Sequence, residues 1–100
     1  MPLKTKIEGS VPVVFLREGD TFIAYCPVLD LSSCGETFEE AQKNFDEALN
    51  IFFVECHKRG TLDEVLSSCG WTMVRENSTQ RLTPPFYVGE RQVTLCPEFA

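Results

Sequence analysis

Residues 37–60, TFEEAQKNFDEALNIFFVECHKRG, constrain the fold of this chain more than any other stretch. Thr37 followed three positions on by Glu40 is a capping box: the threonine oxygen accepts from a free amide of the first turn, and the glutamate reaches back. Phe38, Ala41, Phe45, Ala48, Leu49, Phe52, Phe53 and Cys56 then recur in steps of three and four, which places them on one stripe of an α-helix. Glu39, Lys43, Asp46, Glu47 and Asn50 fall on the other side. Gly60 stands where a helix running to about Arg59 needs a left-handed residue to end. At about 1.5–3 kcal/mol per large side chain fully buried, the four phenylalanines and Leu49 make this helix the expected main contributor to the core.

The flanking segments read as a sheet before the helix and a shorter helix after it. Residues 11–16, VPVVFL, are apolar throughout, with Pro12 suited to the start of a strand because it brings no N–H to a ladder. Residues 17–20, REGD, form a turn, and residues 21–26, TFIAYC, resume as the second arm of an antiparallel hairpin. Pro27 stops that arm, Asp30 organises the following turn, and residues 31–35, LSSCG, give a short third strand. Thr61 with Glu64 repeats the capping box and opens a short helix with Leu62, Val65, Leu66 and Cys69 on its apolar side, closed by Gly70. Residues 71–74 read as a return strand and residues 76–85, which end in two prolines, as a loop. Residues 86–88 and 91–95 flank Gly89-Glu90 as a type II′ hairpin would, with Phe86, Val88, Val93 and Leu95 on one face. The expected class is α+β: a three-stranded antiparallel sheet plus return strand packed on one long and one short helix (β-β-β-α-α-β), with a hairpin-like tail. A domain over residues 1–75 is followed by an extension over 76–100.

The composition narrows the chemistry. One hundred residues support a single core, and no run approaches the roughly 18 apolar residues that cross a bilayer. No leader with a small-residue cleavage site is read at the amino end, so the expectation is a cytoplasmic chain. Five cysteines spaced 8, 22, 13 and 27 apart fit no zinc or disulfide framework and read as reduced thiols beside apolar neighbours. No metal, cofactor or catalytic set is therefore expected. An enzyme would have to be built around Asp30, Cys26, Cys34 or His57, and the last fits the simpler role of complementing a helix C-terminus. No phosphate-cradling glycine pattern occurs. Of the net charge of −6, residues 1–71 carry twelve acids against six bases, and residues 72–100 three of each. An acidic body disfavours nonspecific nucleic-acid binding and favours a basic protein partner. The exposed acids of the long helix, Glu39, Glu40, Asp46 and Glu47, are the candidate partner-binding residues.

Two stretches carry a resemblance: residues 22–49, FIAYCPVLDLSSCGETFEEAQKNFDEAL, and residues 59–71, RGTLDEVLSSCGW. A strand leading to a proline, a small-residue run, a glycine, a Thr-x-x-Glu-Ala helix start and a second short helix ending near tryptophan together resemble the HicB family of bacterial type II antitoxins. The likeness covers about residues 12–74. It implies a partial ribonuclease H-like fold and neutralisation, by occlusion, of a small basic HicA-like toxin that cleaves messenger RNA. It brings no nuclease chemistry, because no carboxylate pattern here maps onto a two-metal site. Members of the family often add a ribbon-helix-helix or helix-turn-helix module, but after Trp71 no pair of amphipathic helices follows, so no DNA-binding module and no operator binding are expected. The tail is instead expected to support a homodimer through Phe86, Val88, Val93 and Leu95. The alternative is a solitary HicB-like structural or regulatory module that self-associates without a toxin.

Overall fold

A computed structural model describes residues 6–77 and 79–99. In chain order the elements are β1 (Lys6–Glu8), β2 (Val14–Glu18), β3 (Thr21–Cys26), β4 (Leu31–Gly35), α1 (Phe38–Lys58), α2 (Leu62–Ser68), β5 (Thr72–Glu76) and β6 (Thr79–Thr83). The class is the α+β arrangement expected: three antiparallel strands, two helices and a two-stranded hairpin.

The first sheet has the order β2-β3-β4 and is antiparallel throughout. Strands β3 and β4 have the bounds expected from sequence, whereas β2 begins only at Val14 and runs on to Glu18, because Arg17 and Glu18 pair with Phe22 and Thr21 and leave the turn to Gly19 and Asp20. Pro12 keeps the chain out of the ladder, and Val11 and Val13 pack instead against the core. One face of the sheet lies under α1. Ala24 and Cys26 are fully buried there, and Phe15 meets Phe38 at a ring separation of 4.7 Å. Side chains alternate along a strand, so Val14, Leu16, Ile23, Tyr25 and Cys34 line the opposite face, and Leu16 is exposed.

The joint between β4 and α1 is tight for a reason that lies in one residue. A β-carbon on Gly35 would stand 2.6 Å from the Ala41 nitrogen and 2.7 Å from the Glu40 β-carbon, so only glycine lets the first turn of α1 settle on the strand. The Glu40 amide donates to Thr37 Oγ1 at 3.0 Å, half of the expected capping box. The reciprocal bond reaches one residue further back: the Glu36 amide donates to Glu40 Oε2 at 3.1 Å. Asn44 then donates to the Cys34 carbonyl at 2.8 Å, so α1 occupies a backbone acceptor of β4.

Both helices end in the same way. Gly60 takes φ +69° and Gly70 φ +83°. The Thr61 amide donates to the Cys56 carbonyl and the Gly60 amide to that of His57; Trp71 and Gly70 repeat the pattern on Leu66 and Ser67. Each pair is a Schellman closure that satisfies otherwise orphaned carbonyls. This overturns the second capping box. Thr61 makes no side-chain bond to the start of α2, and its hydroxyl points back to the Cys56 carbonyl at 3.4 Å. Thr61 completes α1 more than it opens α2.

Trp71 connects the two halves of the body. It is buried, its indole N–H donates to the Val28 carbonyl at 3.0 Å, and its ring meets Phe53 edge-on at 6.4 Å. Leu62, Leu66, Phe45, Leu29 and Leu82 complete the buried cluster around it. Of the four phenylalanines on the helix stripe, Phe45 is buried, Phe52 and Phe53 are half-buried, and Phe38 is exposed at the sheet margin.

The return strand does not rejoin the first sheet. β5 pairs antiparallel with β6 around Asn77, whose φ is +53°, and β6 pairs in parallel with β1, giving a second sheet of order β1-β6-β5. Residues 79–83, expected as part of a loop, are therefore a strand. Its polar sequence TQRLT hides an alternation in which Gln80 and Leu82 are buried and Arg81 is exposed. Gln80 is tolerated there because its amide bonds to the Met73 sulfur. β1, too short for any periodicity to show, was not expected, and a boundary at residues 75/76 falls inside this hairpin. The hairpin expected around Gly89-Glu90 is not formed: residues 84–99 lie outside any strand or helix. Two short arms with nothing to dock on gain too little to order as a ladder. The radius of gyration, 17.0 Å, exceeds the roughly 13 Å of a compact chain this long.

Candidate interaction surface

α1 presents its acids on a rigid support. Glu39, Lys43, Asp46, Glu47 and Asn50 are all exposed, three acids around one lysine, with Asp46 and Asn50 at the margin where α1 meets residues 9–11. Glu40, also exposed, is committed to the Glu36 amide at the helix start. Of the four acids expected to attract a partner, Glu39, Asp46 and Glu47 thus share one face, and Glu40 has a local structural task. Asp46 also borders a groove of about 420 Å³ between α1, residues 9–11 and the second sheet, with Leu49, Phe53, Trp71 and Leu82 among its walls.

The residues considered for chemistry are placed apart in role. Cys26 is buried in the core, and desolvation pushes its thiol up from the ordinary range, partly offset by the amides of Val28 and Leu29. Cys34 is exposed on β4. Asp30, in a left-handed conformation at φ +52°, accepts from the Tyr25 hydroxyl at 2.9 Å, which closes the turn between β3 and β4. That hydrogen bond raises the Tyr25 phenol, with some desolvation and the Asp30 charge adding to it. His57 is exposed in the last turn of α1, beside Lys58. All five cysteines are free, and among the described residues no group of three His, Cys, Asp or Glu could hold a metal ion. No described helix is long and apolar enough to cross a membrane.

The tail is the second surface. Phe86, Val88, Val93 and Leu95 are all exposed, Val88 at 96% and Leu95 at 83% of their full area, and Phe99 is as open. They do not share a face, because the hairpin that would align them is not formed. A second feature, invisible to sequence reading, stands near the base of the tail. Among the described residues β2 pairs with β3 alone, so its outer backbone edge is open. The signal available in the sequence was the apolar run 14–16 ending in Arg17-Glu18, but nothing there says which edge of the sheet it would form. The chain was compared with protein-family models, with curated proteins and with solved structures, and no match was found in any of the three.

Proposed function

We propose that this chain is a HicB-like antitoxin: a cytoplasmic, non-enzymatic binding protein that neutralises a small basic HicA-type toxin by occluding it. The observation that carries the reading is the exposed acidic face of α1, where Glu39, Asp46 and Glu47 are held on a helix fixed at both ends. Such a face steers a basic protein toward it and complements its charge once bound. Its test is capture of a stoichiometric small basic protein from the native host at moderate salt, followed by kinetics with that protein. Reversing Glu39, Asp46 and Glu47 to lysine lowers the association rate and flattens its salt dependence. Unchanged kinetics remove the acidic face from the mechanism, and the absence of any basic protein removes the antitoxin reading.

The exposed apolar tail favours a second reading, a solitary HicB-like module that self-associates as a homodimer. A segment with Phe86, Val88, Val93 and Leu95 open to water is an unusual surface for a lone chain. Neither reading calls for operator binding: among the described residues, none after α2 is helical.

A further inference from the structure

We infer that the tail of one copy adds as an antiparallel strand to the open edge of β2 in a second copy, in the register that sets Val93 opposite Leu16. The inference deepens the self-association reading and is independent of any toxin.

The first sheet has two edges, and they are treated differently. At β4 the Cys34 carbonyl is taken by Asn44 of α1, so the helix occupies part of that side. At β2 no described element pairs beyond the strand. Natural sheets blunt such an edge with prolines, lysines or cover, because a row of free N–H and C=O groups recruits another strand. Within Val14–Glu18 there is no proline and no lysine; the charges of Arg17 and Glu18 guard only its last two positions, and Phe15 and Leu16 are exposed. The same chain carries, in residues 91–95, the run RQVTL, which lies outside any strand or helix and whose alternating apolar residues are exposed.

The two segments match side chain by side chain. Antiparallel pairing with Val93 opposite Leu16 sets Leu95 opposite Val14 and Arg91 opposite Glu18. All three pairs lie on the sheet face away from α1. Two of them extend existing rows, since Leu16 already opposes Ile23 and Val14 opposes Tyr25. Cross-strand apolar pairs and opposite charges stabilise such a ladder, and like charges opposite one another weaken it.

The occupant is a second copy because of where the tail starts. Phe86 and Tyr87 border the same groove as Pro12, near the beginning of β2. From Pro12 to Glu18 an extended chain covers about 20 Å, whereas the four peptide steps from Tyr87 to Arg91 span at most about 14 Å. A tail rooted there that meets its own β2 can do so only in the parallel sense. In a two-fold dimer with the β2 strands antiparallel, each root lies at the far end of the other β2, and the same tail runs antiparallel to it. The exchange is reciprocal, as an isologous interface demands.

The experiment uses the full chain. In a C34S/C96S background, two differently tagged proteins carrying L16C and V93C are mixed and oxidised, and sedimentation velocity follows the unmodified chain and the variants E18R, R91E, E18R/R91E and V93D/L95D. The expected results are a dimer, a disulfide joining the two tags, loss of the dimer in V93D/L95D, and about threefold weaker association in each single charge variant, restored in the double. A monomer overturns both the inference and the self-association reading. A dimer that keeps its strength in V93D/L95D and gives no mixed disulfide overturns strand addition but leaves self-association standing. A single chain carrying both L16C and V93C that closes within a monomer overturns the exchange between copies. Failure of the double charge variant to recover overturns the register.

Discussion

The joint at residues 35–41 and the tail at residues 84–99 are both built from small, polar and aromatic residues, yet one is fixed and the other is not. At the joint each local preference has a partner in the fold. Gly35 leaves room for the helix, Thr37 and Glu40 satisfy backbone amides, and Asn44 fastens the helix to the strand. In the tail the preferences are equally legible, with a turn glycine and alternating apolar residues, but nothing in the same chain meets them. A local signal becomes structure when tertiary burial answers it, because a short ladder or turn alone does not offset the entropy of ordering it.

That contrast can be broken most forcefully at the aromatic residues. Trp71→Ala removes the buried indole, its bond to Val28 and its contact with Phe53, and is expected to cost about 4 kcal/mol in urea unfolding. Phe86→Ala, an equally aromatic position in the tail, is expected to stay within about 0.5 kcal/mol at protein concentrations low enough to keep the chain monomeric. Similar costs at the two sites would erase the distinction. Next in size, Gly35→Val drives a branched side chain into the backbone of Ala41 and is expected to cost about 3 kcal/mol, with helix content falling in the same transition.

A smaller comparison separates the two threonines that look alike in sequence. Thr37→Ala is expected to cost about 1 kcal/mol, the usual loss for an N-cap whose oxygen holds an amide. Thr61→Ala is expected to cost less than about half as much, because its hydroxyl makes only a long bond back to Cys56. Equal costs would restore the second capping box.

The pH dependence gives the smallest effect and has a definite sign. Burial raises the Cys26 thiol in the folded chain, so the unfolded chain ionises first. The contribution is fully present below about pH 8.5, where an exposed thiol ionises, and is lost as pH rises through the higher folded value. The Tyr25 phenol, raised by its bond to Asp30, acts in the same direction above about pH 10. Cys26→Ala is expected to flatten the first part of this decline and Tyr25→Phe the second, each read from urea midpoints across the alkaline range. A decline that is unchanged in both variants would place its origin elsewhere.

The stripe of α1, its N-cap, the two glycine stops, the hairpin of β2 and β3 and the strand 31–35 were all legible in the chain, because each rests on contacts within a few residues or on a period that burial enforces. The candidate acids were legible as exposed for the same reason. Their division was legible in part: the capping box already drew Glu40 to the helix start, and the structure moves its bond one residue back, to the Glu36 amide, while Glu39, Asp46 and Glu47 stay exposed. The polar strand β6 escaped reading because Gln80 becomes a core residue only once Met73 stands beside it. The parallel β1–β6 pairing joins segments more than seventy residues apart and leaves no local trace.

By itself, the sequence determined the class, the long helix with its ends, and the acidic character of its outer face. Those features follow from local capping chemistry and from which side chains leave water. Tertiary structure alone decided which strands pair, that the return strand belongs to a second sheet, which edge of the first sheet stays open, and that the apolar residues of the tail beyond Tyr87 stay exposed. Strand partnership is set by backbone groups that every residue carries alike, so only the packing of the whole chain selects among them.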